Sequence, residues 1–147
     1  MGFEIKMTTR IWILLAFALT LFSFPAAGQT VEDSSRRTIG YISTSGTVED
    51  KSRRTIGYFR DSGAVEDSSR RTIGHIREDG TVEDASRRTI GYIRSSGEVE
   101  DCSRRTLGYI RSDGTVEDGS RRTKGYAKGI KREWAAAFFF FFFRPAD

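Results

Sequence analysis

The chain has 147 residues, of which 37% are hydrophobic and 30% are charged, and its 24 basic and 20 acidic residues give a formal charge of +4. This length suits one small domain, and the near balance of charge excludes nucleic acid as an expected partner, because counterion release needs a clustered excess of lysine and arginine. One cysteine and one histidine exclude an intrachain disulfide and a Cys/His zinc site, and they supply no nucleophile and base pair, so we expect no enzyme, no metal site and no cofactor.

The first predicted element is a secretory signal peptide over residues 1–28. Residues 11–24 form a 14-residue apolar run that follows basic residues and precedes a proline and several small residues. The run is shorter than the ~20 residues that span a bilayer, and its flanks favour cleavage before Gln29. An uncleaved anchor is the alternative, and Met1 and Met7 are both candidate starts. The pattern indicates an exported protein of the periplasm, the cell envelope or the extracellular space.

Residues 29–131 contain one unit written six times. The six valines Val31, Val48, Val65, Val82, Val99 and Val116 lie 17 residues apart. Around each valine stands a version of GTVEDASRRTIGYIRSS, the copy at 80–96. A fixed period of this kind is typical of repeat proteins, in which units are stable only when they pack on one another. The sequence therefore predicts a single repeat domain over 29–131.

Each unit predicts two β-strands and the turn between them. T-I-G-Y-I alternates in polarity and is rich in β-branched and aromatic residues, and T-V-E-D is a shorter strand. The four residues between the strands end in glycine, which suits a short hairpin with a bulge. D-x-S-R-R joins successive hairpins, and its Asp and Ser can accept backbone N–H bonds in a tight turn. Five complete hairpins are predicted at 38–50, 55–67, 72–84, 89–101 and 106–118, with orphan strands at 30–33 and 123–127.

The hairpins are expected to close into a ring. Alternation along a strand places Ile39 and Tyr41 on one face and Gly40 and Ile42 on the other. About four apolar side chains in each unit cannot offset the entropy of ordering it, so each hairpin must pack on its neighbours. We predict a closed ring rather than an open stack, because a ring removes most strand edges and the two orphan strands can pair to close it. The glycine equivalent to Gly40 in each copy suits either a close backbone approach near the axis or a strand bulge.

Residues 132–147 form an aromatic C-terminal tail. Within it, residues 135–143 read AAAFFFFFF, too short for a transmembrane helix but long enough for a strand of about 30 Å. We interpret the tail as packing along or across the ring, where it supplies aromatic bulk that the repeats lack. Since exposed phenylalanine runs aggregate, insertion into a membrane or another subunit is one alternative, and translation of a homopolymeric codon tract is another. The residues at issue are Phe138, Phe139, Phe140, Phe141, Phe142 and Phe143.

An aromatic series at one position of the repeat supplies weak candidates for ligand binding. Its members are Tyr41, Tyr58, His75, Tyr92 and Tyr109, followed by Tyr126. On an exposed ring they could stack on sugars or peptides, but an aromatic residue that alternates beside isoleucine is usually buried, so we favour a place in the core. His75 has no nearby catalytic partner in the sequence. The Glu-Asp and Arg-Arg pairs predict charge ladders rather than calcium or phosphate sites, because successive strand residues point to opposite faces.

The recurring V-E-D-x-S-R-R-T-I-G-Y-I, the signal peptide that ends before Gln29 and the ending G-Y-A-K-G-I-K-R-E-W-A-A-A-F-F-F-F-F-F together resemble the secreted bacterial proteins called five-fold beta-flower proteins. The resemblance covers nearly the whole chain after residue 28. It implies a beta-flower fold and an exported location, and no established activity. At the turn where that family commonly has glycine, this chain has Arg36, Arg53, Arg70, Arg87, Arg104 and Arg121. A positive φ would be strained there, so the sequence leaves the turn type open.

The sequence thus predicts an all-β protein in which six 17-residue repeats form about five hairpins packed as a closed ring, with a signal peptide and an aromatic tail. The expected function is that of an exported structural or interaction protein with a repeated hairpin surface. Its partner is unknown, and an envelope protein or a glycan is a candidate. The alternative is a membrane-associated or self-assembling envelope factor that makes peripheral membrane or homo-oligomer contacts through the phenylalanine tail.

Overall fold

The structure is a computed structural model that describes residues 28–144; residues 1–27 of the predicted signal peptide and the last three residues of the tail lie outside this range. Twelve antiparallel strands form one closed barrel in which every strand pairs with its neighbours in the chain and β12 pairs with β1. The strands are β1 (Gln29–Asp33), β2 (Thr38–Ile42), β3 (Thr47–Asp50), β4 (Thr55–Phe59), β5 (Ala64–Asp67), β6 (Thr72–Ile76), β7 (Thr81–Asp84), β8 (Thr89–Ile93), β9 (Glu98–Asp101), β10 (Thr106–Ile110), β11 (Thr115–Asp118) and β12 (Thr123–Tyr126). The predicted closed ring of hairpins is confirmed.

The two orphan strands close the ring in the same register as the continuous hairpins. In the hairpin of β2 and β3, Gly40 lies opposite Asp50. At the closure, the equivalent Gly125 of β12 lies opposite Asp33 of β1. The ring therefore has six equivalent petals: five are continuous hairpins, numbered one to five from β2–β3 to β10–β11, and the sixth is the noncovalent pair of β12 and β1.

One end of the barrel carries the turns within the petals, which we call the glycine-turn end (residues 43–46, 60–63, 77–80, 94–97 and 111–114). In the first petal the N–H of Gly46 donates to the carbonyl oxygen of Ser43 at 3.0 Å, and the N–H of Ser43 donates to the carbonyl oxygen of Thr47 at 2.9 Å. Gly46 has a φ of +92°. This is a type I turn followed by a residue in the left-handed region, the bulged hairpin loop that the sequence predicts.

The opposite end, the arginine-turn end, joins one petal to the next through residues 33–37, 50–54, 67–71, 84–88, 101–105 and 118–122. Its turns have the same hydrogen-bond pattern, with an arginine in place of the glycine: Arg53 has a φ of +66°, and its N–H donates to the carbonyl oxygen of Asp50 at 3.0 Å. The turn type that the sequence left open is therefore left-handed at arginine. Such a conformation costs an ordinary residue about 1–2 kcal/mol.

An aspartate side chain stabilises each of these strained turns. Oδ1 of Asp50 accepts the backbone N–H groups of Ser52 at 2.8 Å and Arg54 at 3.0 Å, and Oδ2 accepts Nε of Arg54 at 3.0 Å. The N–H bond from Arg54 is the main cause of a lowered pKa at Asp50. The carboxylate form is thus part of the folded turn.

The barrel wall turns its smaller side chains inward. The six repeat valines are all 0% exposed. Nearer the glycine-turn end, a second row points inward, formed by Ile42, Phe59, Ile76, Ile93, Ile110 and Ala127. The glycines equivalent to Gly40 are buried beside the valines. A wall of this kind leaves an axial space that the repeats do not fill.

The tail enters that space as a helix. Helix α1 (Arg132–Ala136) continues into a π-helical turn (Ala137–Phe141), in which the N–H of Phe142 donates to the carbonyl oxygen of Ala137 at 2.9 Å. The segment is therefore helical and not the strand for which its length would suffice. A strand would send alternate rings in only two directions, whereas a helix distributes them around its axis.

Candidate functional site

Six consecutive phenylalanines meet six glycines, one from each petal. The pairs are Phe138 with Gly40, Phe139 with Gly125, Phe140 with Gly108, Phe141 with Gly91, Phe142 with Gly74 and Phe143 with Gly57. Phe138 contacts the first petal, and the next five rings take the remaining petals in reverse chain order, from the sixth petal at Phe139 to the second at Phe143. A Cβ placed on Gly91 would collide with the carbonyl oxygen of Glu100 and lie 2.5 Å from the Phe141 ring. The six glycines therefore let the aromatic rings approach the backbone of the wall closely. Of the two interpretations that the sequence leaves open for these glycines, the close approach is the one observed.

The π-helical turn fits the symmetry of the ring. Neighbouring petals of a six-membered ring are separated by about 60°, whereas successive residues of an α-helix rotate by about 100°. The wider i→i+5 turn over Ala137–Phe141 lowers the rotation per residue and so brings it closer to the spacing of the petals. The sequence contains a signal for this arrangement that periodicity alone misses, since the number of phenylalanines in the run equals the number of repeats.

The rings form the main core of the molecule. Residues 138 and 139 are each 2% exposed and residue 140 is 7% exposed, while residues 141–143 are half-buried. Near the glycine-turn end, Trp134 stacks on Phe59 with ring centroids 5.6 Å apart, and Phe143 contacts the same ring edge-on at 5.5 Å. The space along the axis is thus occupied by the chain itself, and surfaces for a partner lie outside it.

The tyrosines lie on the outer face of the barrel, half-buried beneath arginine side chains. The Arg53 guanidinium carbon lies 3.4 Å from the centroid of the Tyr41 ring, and the same contact joins Arg36 to Tyr126 and Arg121 to Tyr109, each at 3.5 Å. Tyr58 lies between Arg60 and Arg70, and Tyr92 lies between Arg94 and Arg104, at 4.5–5.1 Å. The interpretation that places the tyrosines in the core is wrong, because the opposite face of the strand turns inward to receive the phenylalanines. Ligand binding by these tyrosines stays a prediction.

The repeated glutamate completes each outer cluster. Glu83 and Glu117 are only 5% exposed. Oε1 of Glu83 lies 3.2 Å from Arg77 and Oε2 lies 3.4 Å from Arg87, so two guanidinium groups compensate one desolvated carboxylate. These contacts are the charge ladders that the sequence predicts.

His75 takes the tyrosine position in the third petal. Its Nδ1 atom is buried and has no hydrogen-bond partner, while the neighbouring Arg77 and Arg87 both bind Glu83. Ligand binding by His75 stays a prediction.

The tail breaks the sixfold regularity where it enters the glycine-turn end. Nζ of Lys131 lies 3.4 Å from Oδ1 of Asp61 in the second petal, and the Arg132 guanidinium donates to the carbonyl oxygen of Ser95 in the fourth petal. The turn of the third petal, at 77–80, lies between these two anchors. Beside it is a cavity of about 350 Å³, which we call the third-petal cleft.

The third-petal cleft has an apolar floor and a charged rim. Its lining includes Phe59, Ile76 and Trp134 on the floor and Arg60, Asp61, Arg77, Glu78, Lys131 and Glu133 on the rim. Ile76 is half-buried, although the equivalent Ile93 and Ile110 are only 5% and 4% exposed. Nothing in the sequence indicates this cleft, because it arises where a unique helix meets one of several similar turns.

Across residues 28–144 there is no cluster of three His, Cys, Asp or Glu side chains that could hold a metal ion. In the same part of the chain, no helix is long and apolar enough to cross a membrane. Residues 28–143 match the family described as 5-fold beta-flower protein. No curated protein and no solved structure gives a significant match.

Proposed function

The chain belongs to the 5-fold beta-flower protein family, and from this premise we propose that it is an exported, non-catalytic interaction protein whose binding face is the glycine-turn end. Five continuous hairpins agree with the family description, and the noncovalent closure adds the sixth petal. The strands begin at Gln29, so cleavage before this residue would leave the whole barrel in the exported chain.

The observation that carries the proposal is the occupation of the barrel by the chain's own rings. A barrel that carries a small ligand keeps an internal cavity for it, whereas here six phenylalanines seat on the six glycines of the wall. A ring that is closed by hydrogen bonds and filled by its own tail is a rigid support. Its exposed loops are then the available binding surface.

The two ends of the barrel differ in how much their sequences vary. The arginine-turn end repeats D-x-S-R-R with only its second residue changing, whereas the glycine-turn end reads STSG, RDSG, REDG, RSSG and RSDG. The tail adds Lys131, Arg132 and Glu133 to the glycine-turn end alone. A surface that differs from petal to petal can distinguish partners, which supports this end as the binding face.

Membrane insertion through the phenylalanine tail requires the rings to leave the barrel. Withdrawing the three most buried rings, residues 138–140, would expose side chains worth about 1.5–3 kcal/mol each. The resulting loss of about 5–9 kcal/mol is comparable to the whole stability of a typical domain, about 5–15 kcal/mol. This cost favours the interaction role over the membrane-inserted alternative.

Photo-crosslinking in cells tests the proposal with a matched pair of positions. Ser62 at the glycine-turn end and Ser68 at the arginine-turn end are both exposed serines of the second petal region. The full chain, carrying a photoreactive residue at one position or the other, is expressed in a host that exports it, and the fractions are analysed by mass spectrometry. We expect an exported chain that begins at Gln29 and a discrete adduct from position 62. Retention in the cytoplasm, or adducts from position 68 alone, would overturn the proposal.

A further inference from the structure

We propose that the third-petal cleft binds a basic side chain of an extended peptide, with the aliphatic stem on the floor and the cationic head at the rim. This inference rests on the proposed function, because it assigns a partner chemistry to the same end of the barrel. It goes further by naming one cleft and one class of ligand.

The floor of the cleft suits the methylene stem of lysine or arginine. Ile76 is partly accessible, unlike its buried counterparts in the fourth and fifth petals, and it lies beside the stacked rings of Phe59 and Trp134. Long basic side chains bury their methylene groups on apolar surface while the charged head stays near water. A volume of about 350 Å³ lies within the range of small binding sites.

The positive charges on the rim are already paired. Arg60 binds Glu66 and Arg77 binds Glu83, and both of these glutamates are bonded on the outer face of the barrel rather than in the cleft. Lys131 is paired with Asp61. Every cation that lines the cleft therefore has a carboxylate partner, and only Arg77 shares its partner, Glu83, with a second guanidinium, that of Arg87.

Two carboxylates on the rim remain uncompensated. Glu78 and Glu133 are exposed and line the cleft from the third petal and from α1. Within residues 28–144 neither of them forms an ion pair. The lining residues and their ion-pair partners carry five carboxylates and, with Arg87 included, four cations. The excess of one negative charge favours a cationic ligand over an anionic one.

The chain itself provides an example of a cation held at this place. Nζ of Lys131 lies 4.3 Å from the centroid of the Trp134 ring and 3.4 Å from Oδ1 of Asp61. An ammonium group between an aromatic face and a carboxylate is a recurring mode of cation recognition. A second basic head group on the side of Glu78 and Glu133 would extend the same arrangement.

Calorimetry with two short peptides tests the inference on the chain that begins at Gln29 and runs to the C-terminus. The probes are acetyl-Leu-Lys-Leu-Lys-amide and acetyl-Leu-Glu-Leu-Glu-amide. We expect the lysine peptide alone to bind, and its affinity to fall as salt rises from about 0.05 M to about 0.5 M. Glu78→Gln combined with Glu133→Gln should weaken binding roughly ten-fold, while the matched control Glu98→Gln, outside the cleft, should leave it unchanged.

Several results would overturn the inference. Equal binding of the two peptides, no binding of the lysine peptide at millimolar concentration, or unchanged affinity in the double variant each contradicts it. Thermal melting of each variant separates loss of binding from loss of fold. If crosslinking at position 62 succeeds while the lysine peptide fails, the binding face stands and only the cationic ligand is wrong.

Discussion

Replacing Phe139 with alanine tests whether the tail is the core of the ring. Phe139 is 2% exposed, its ring lies against Gly125, and it contacts Phe138 edge-on with centroids 5.4 Å apart. Truncating a buried phenylalanine removes its burial energy and leaves a cavity, at a cost of about 3–5 kcal/mol. The strands around Gly125 are fixed by the closed ring, so we expect little collapse into that cavity and a loss at the upper end of the range.

Thermal unfolding of the chain that begins at Gln29 measures this loss. For a domain of this size, a destabilisation of 3–5 kcal/mol lowers the Tm by about 10–20 °C. Phe143→Ala is the matched comparison, because this ring is half-buried and should cost less than half as much. Cys102→Ser, at an exposed turn position, should change the free energy of unfolding by no more than about 0.5 kcal/mol. If Phe139→Ala melts no earlier than Phe143→Ala, the rings are not seated as the structure places them.

Three further changes probe the wall and the turns. Gly91→Ala should lower the Tm by several degrees, because the added methyl group collides with the Glu100 carbonyl oxygen and the Phe141 ring. An unchanged Tm would mean that the Phe141 ring does not lie against Gly91. Arg70→Gly should raise stability by less than about 1 kcal/mol, because it relieves a φ of +63° but loses the contact with the Tyr58 ring at 4.5 Å. Arg53→Gly loses a closer contact with the Tyr41 ring at 3.4 Å and the ion pair with Glu49 at 3.3 Å, so it should be neutral or destabilising; equal effects in a denaturant titration would refute the distinction. The turn aspartates have lowered pKa values, caused chiefly by a backbone N–H bond. Because the folded pKa lies below the unfolded one, the stability that these carboxylates contribute is fully present above about pH 4 and is lost as pH falls through the folded pKa. The Tm should therefore decline steeply in that range, and a flat Tm would mean that the aspartates play no part.

The sequence predicts the wall of this molecule well because every signal is repeated. Strand limits, the glycine turn and the partnering of the orphan strands all follow from local patterns that recur with a 17-residue period. The sequence also predicts the aspartate of the arginine turn as an acceptor of backbone N–H groups, and the bonds that Asp50 accepts from Ser52 and Arg54 agree. Local chemistry that acts within a few residues is the part of a fold that a single sequence expresses most directly.

Which face of the strands points into the barrel could not be predicted from one repeat. Alternation establishes that Gly40 and Ile42 share a face opposite Tyr41, but it does not say which face is inside. Taken alone, the face with the tyrosine has the larger apolar side chains and is the better candidate for a core. The glycine face becomes the inner one only because a distant segment, the phenylalanine run, fills the space that glycine leaves.

The match between rings and glycines also explains why a chain of near-identical repeats has one structure. Identical units can pair with any neighbour, so strand pairing alone does not fix how many petals join the ring. A tail with six consecutive rings finds a glycine seat for each ring only when six petals surround it. A smaller ring would leave phenylalanine exposed, and a larger one would leave an empty seat at the axis, each at a cost of several kcal/mol. The tail therefore selects the closed six-petal ring, and the same entry of the tail at one end creates the third-petal cleft, so the specificity of the fold and the asymmetry available for binding have a common origin.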